Sequence, residues 1–116
     1  MKIGFAFIIK NTIFRWEDWK KFLKDIDHEI ALISWDRLIL AELEKYQIET
    51  SIQPGHGDYN YIRSVFLLFE RLKDCDRVIL LSESCYPMVS SEKLLSVCEC
   101  VFFYYSLVVI FNFSIK

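Results

Sequence analysis

A Rossmann-like α/β fold, a mainly parallel sheet with helices on both faces, is predicted by three features of the 116-residue sequence. Short segments that are apolar at every position alternate with segments whose apolar residues step by three and four. Strands apolar throughout are those buried on both sides, as in parallel sheets, whereas half-exposed strands alternate apolar with polar. Three Gly and two Pro fall well below the usual share of about 12%, which excludes collagen-like, low-complexity and disordered chains. The length suits one domain.

The elements follow in order. Lys2 to Lys10, KIGFAFIIK, is a buried strand bounded by charges. From Thr12 to Asp27, Trp16, Trp19, Phe22, Leu23 and Ile26 keep helical spacing while Lys20, Lys21, Lys24 and Asp25 take the other side, so an amphipathic helix is expected with Asn11 or Thr12 as N-cap. Glu29 to Ser34 is a second buried strand, and Arg37 to Tyr46 returns to helical spacing through Leu38, Ala41, Leu43 and Tyr46. Ile48 to Gln53 is expected as a third, shorter strand. Pro54-Gly55-His56-Gly57-Asp58 then breaks the pattern and offers Asp58 as the N-cap of a helix reaching about Lys73, with Tyr61, Val65, Leu68, Phe69 and Leu72 on one stripe. Arg77 to Ser82 is a fourth buried strand, followed by a loop, Glu83 to Val89, and a short helix capped by Ser90 or Ser91.

The pattern changes near residue 97. Val101 to Ile115 holds no charge, and from Leu94 to Ile115 only Glu99 is charged, close to the roughly 20 residues a membrane span needs. Residues 1–97 are therefore assigned to the α/β domain and 98–116 to an apolar tail, for which a buried strand and a membrane anchor are both open.

Fourteen Lys and Arg against sixteen Asp and Glu give a net charge of −2, which excludes a strongly basic nucleic-acid binder. Cys75, Cys85, Cys98 and Cys100 form no CxxC pair or Cys/His ligand pattern. Ile3 to Ile9 is followed by no small-residue cleavage site, so a reduced, cytoplasmic chain is expected, with membrane association through residues 94–115 as the alternative.

In open parallel sheets the ligand sits beyond the carboxyl ends of the strands. Here those ends are Lys10-Asn11, Ser34-Trp35-Asp36, Gln53 to Gly57 and Glu83-Ser84-Cys85. The chain lacks GxGxxG, GxxxxGK[ST] and GxSxG, which argues against dinucleotide, P-loop and serine-hydrolase chemistry. Two D-x-D triplets, Asp25 to Asp27 and Asp74 to Asp76, precede strands and so fall on the opposite rim; neither is assigned a metal. Cys85 with His56 is a candidate thiol and base pair.

The order of strand, Trp-bearing helix, strand, His-Gly before a helix and then VILLSESCYPM resembles the core-2/I-branching β-1,6-N-acetylglucosaminyltransferase family and its plant, protist and viral relatives. A family strand ending in LLSESCIPL is similar to Leu80 to Met88. The family's first strand and W-x-x-F-F helix are similar to KIGFAFIIKNTIFRWEDWKKFL, with Trp19, Phe22 and Leu23 in matching places, and its W-G corresponds to His56-Gly57. The likeness spans about residues 1–97.

That resemblance implies the N-terminal half of a GT-A-like, metal-independent, inverting glycosyltransferase that takes a nucleotide sugar, typically a UDP sugar, passes it to a glycan or glycoprotein acceptor, and uses no cofactor. The family's domain is longer, and its catalytic Glu and diphosphate-neutralising basic residues lie in the later half, so no residue here receives a catalytic role. The expectation is a truncated nucleotide-sugar-binding half with Lys10, Asn11, Ser34, Asp36, His56, Gly57, Glu83, Ser84 and Cys85 as substrate-binding residues. A non-catalytic α/β module, attached to a membrane or partner by the apolar tail, is the alternative. Two roles are open for Glu83: accepting hydrogen bonds from sugar hydroxyls, or from nearby backbone N–H groups.

Overall fold

The computed structural model describes residues 1–36, 40–48, 59–87, 90–100 and 114–115. Its elements are β1 (Ile3–Ile9), α1 (Trp16–Leu23), β2 (His28–Ser34), a 3-10 helix (Ala41–Tyr46), α2 (Tyr59–Arg71), β3 (Arg77–Ser82), β4 (Cys85–Tyr86), α3 (Ser91–Cys100) and β5 (Ser114–Ile115). The first three long strands form a parallel sheet in the order β2-β1-β3. Every residue of β1 is buried because it is the central strand and both faces of the sheet are covered.

The pleat of β1 divides the core in two. Ile3, Phe5, Phe7 and Ile9 face Trp16, Trp19 and Leu23, with Leu43 and Leu94 beside them. Ala6 and Ile8 face the other way, toward Leu68 of α2, Leu72 just beyond its end, and Cys75. Gly4 lets that layer approach: a Cβ there would stand 3.1 Å from Cys75 Sγ and 3.2 Å from Leu72. Trp19 locks α1 to the sheet. Its ring meets Phe5, Phe7 and Phe22 edge to face with centroids 6.0, 5.3 and 5.7 Å away, and its indole N–H donates to the Cys85 carbonyl at 3.1 Å.

The helix expected from Thr12 to Asp27 is shorter, and neither Asn11 nor Thr12 caps it. Phe14 N–H donates to the Glu83 carbonyl at 2.7 Å, and Arg15 takes the left-handed conformation with φ 54°; together these delay the helix to Trp16. It stops at Leu23, and Ile26 is buried from the following turn. Of the helical segment expected over Arg37 to Tyr46, Ala41–Tyr46 is observed as a 3-10 helix, while residues 37–39 lie outside the described residues. Of the shorter strand expected over Ile48 to Gln53, Ile48 alone is among the described residues: its N–H donates to the Leu32 carbonyl at 2.9 Å, next to a single parallel bridge between Gln47 and Leu32, and residues 49–53 lie outside the described residues. Pro54 to Asp58 lie outside the described residues.

α2, β3 and α3 stand where the sequence places them, and Ser90 Oγ caps α3 by accepting Lys93 N–H at 3.1 Å. The loop after β3 contains a short strand, β4, that pairs antiparallel with β5, Cys85 with Ile115 and Tyr86 with Ser114. α3 continues past residue 97 to Cys100. Among the described residues no helix is long and apolar enough to cross a membrane.

Candidate functional site

β1, β2 and β3 end side by side at Ile9, Ser34 and Ser82. A cleft of about 420 Å³ opens there, lined by Ile8, Lys10, Trp35, Ser82, Glu83 and Ser84. Ile8 and Ser82 are register partners, so their side chains share one face of the sheet. Trp35 packs against the core layer beneath α2. The cleft therefore lies on the α2 side of the sheet, at its carboxyl edge, where ligands of open α/β sheets bind.

Backbone and side-chain bonds tie the rim together. Trp35 N–H donates to the Ile9 carbonyl at 2.9 Å and Asp36 N–H to the Lys10 carbonyl at 3.0 Å, which fastens the end of β2 to that of β1. Glu83 does the same between β3 and β1: its Oε1 accepts Lys10 N–H at 2.8 Å, and its carbonyl accepts Phe14 N–H. The Ser34 hydroxyl accepts from Gln47 Nε2 at 2.8 Å. Ser82 Oγ lies 3.3 Å from both Ser84 Oγ and Cys85 Sγ, and Ser82 N–H points to the same sulfur at 3.4 Å.

Of the nine residues expected at the site, Lys10, Glu83 and Ser84 line the cleft. Asn11, Ser34 and Asp36 stand on the same rim without lining it among the described residues. Cys85 is buried, and its thiol and carbonyl are engaged by Ser82 and Trp19, which suits a structural role better than a nucleophilic one. His56 and Gly57 lie outside the described residues. Trp35 and Ser82 line the cleft although neither belonged to the expected set. The sequence signal for both was their place at a strand end, and the pleat decides which residues there face the cleft.

The chemistry offered is an exposed ammonium, a half-buried indole, two hydroxyls and one carboxylate. No described residue bonds Glu83 Oε2, so that oxygen can accept from a ligand hydroxyl. No group of three or more His, Cys, Asp or Glu is placed to hold a metal ion among the described residues. Both D-x-D triplets serve the amino rim instead: the Asp27 carbonyl accepts Ile3 N–H at 3.0 Å, and Asp76 Oδ2 accepts Lys2 N–H at 2.8 Å. No protein-family model, curated protein or solved structure matches the chain.

Proposed function

We propose that this cleft binds a nucleotide diphosphate sugar, a UDP sugar in the first instance, as the donor-binding half of a metal-independent inverting glycosyltransferase of the core-2/I-branching type. The observation that carries the proposal is the cleft itself, at the carboxyl ends of three parallel strands and lined by one cation and one indole. Its volume falls in the range of small-molecule sites. In this assignment the base stacks on Trp35, the Lys10 ammonium meets the diphosphate, and Ser82, Ser84 and Glu83 Oε2 bond the ribose or sugar hydroxyls. A glycan or glycoprotein is the acceptor class.

A single lysine neutralises a diphosphate only in part, so binding is weak, with a dissociation constant near the millimolar range or about 4 kcal/mol. Calorimetric titration of UDP into the full chain tests this, with EDTA in one arm and Mn²⁺ in another. Saturable binding unchanged by EDTA is expected. Binding that requires Mn²⁺, or none to a chain whose circular dichroism shows it folded, overturns the proposal. One observation favours a second function, that of a non-catalytic α/β module attached through residues 94–115. The carboxylate assigned to the sugar hydroxyls, Glu83, spends one oxygen on the Lys10 backbone, a structural use that needs no ligand, and failure of the titration favours that function.

A further inference from the structure

α2 carries two apolar stripes. Tyr61, Val65 and Leu68 pack toward the sheet, and Leu72 continues the stripe just past the helix end. Tyr59, Ile62 and Phe66, spaced three and four apart on the other side, are 72%, 53% and 66% exposed, where a surface helix ordinarily places polar residues. Phe66 shares a shallow depression of about 410 Å³ with Arg63, Leu67 and Glu70. The Arg63 guanidinium lies over the Tyr59 ring at 5.7 Å, and Glu70 pairs with Lys73 at 3.3 Å. Both are surface contacts that a partner can share or replace.

The charges of this depression are arranged symmetrically. Arg63 and Glu70 stand two helical turns apart, roughly 10 Å along the axis, and the midpoint between them falls between Phe66 and Leu67. A second α2 laid antiparallel across that midpoint brings each Arg63 opposite the other copy's Glu70, and each Phe66 against the other copy's Phe66 and Leu67. A parallel copy would set like charges together. A two-fold interface requires this self-complementarity, and an unrelated partner would have no need of it.

We infer that the outer face of α2 is a homodimer interface, two copies of the helix packing antiparallel about an axis near Phe66. One pair of 13-residue helices covers less than the roughly 800 Å² per partner of a standard interface, so the dimer is weak, with a dissociation constant on the order of 10 μM or above.

Sedimentation equilibrium of the full chain over a wide concentration range should follow a monomer–dimer equilibrium. R63E or E70R alone faces like charges across the axis twice and should weaken the dimer about tenfold or more, whereas R63E/E70R restores attraction and should return to within about threefold of the parent. Both positions are exposed, so circular dichroism should match the parent for all three variants. A monomer at every concentration overturns the inference. So does association indifferent to the charge reversals, as the apolar residues 101–113 would produce, or a double variant no better than the singles.

Discussion

Glu83 shows how one side chain can serve both the fold and the cleft. Its Oε1 holds the Lys10 amide and its carbonyl holds the Phe14 amide, so the end of β3 is fixed to the end of β1 and to the turn entering α1. Removing a charged acceptor leaves the Lys10 N–H to water, and Glu83→Ala should cost about 1–2 kcal/mol, read as a lower urea midpoint. Glu83→Gln keeps an acceptor and should lose less. An Ala variant as stable as the parent would show that the bond contributes nothing. At Cys75, burial first and the Glu29 carboxylate second push the thiol pKa up from its ordinary 9.0. The folded state thus holds this proton more tightly than the unfolded chain does. The resulting stability is complete below pH 9.0 and is lost as pH rises through the higher folded value. Cys75→Ala should flatten the decline in stability that sets in above pH 9.0; an unchanged slope would assign that decline to other groups.

At the scale of elements, α1 is held by Trp19 more than by its own termini. Trp19→Phe keeps most of the ring packing but orphans the buried Cys85 carbonyl, and should cost about 1–3 kcal/mol in denaturant unfolding. A loss no larger than experimental scatter would mean that water replaces the indole. β1, β2 and β3 were legible because burial on both faces leaves continuous apolar runs, which Ile3–Ile9, Ile30 to Ile33 within β2 and Val78 to Leu81 within β3 display. The start of α1 was not, because its position is set by Glu83, distant in sequence, and by Arg15 in a conformation that propensity does not suggest. The same holds for the cleft. Lys10, Glu83 and Ser84 could be read from their places after strands, whereas Trp35 and Ser82 required the register that pairs Ile8 with Ser82. Gly4 also escaped sequence reasoning, since its need for space comes from Leu72 and Cys75 across the layer.

For the molecule as a whole, the sheet brings three strand ends together on one rim and sends both D-x-D triplets to the other. A ligand that depends on the first rim will leave the second undisturbed, so the two can be separated residue by residue. The most direct test is to add UDP, in EDTA, to the isotope-labelled full chain and follow its amide and indole resonances by NMR. Graded shifts confined to Lys10, Trp35, Asp36 and Ser82 to Ser84, including the Trp35 indole N–H, are the predicted result. No shifts in a folded chain, or shifts centred on Asp27 and Asp76 at the amino rim, would contradict the assignment of this cleft as a metal-free donor site.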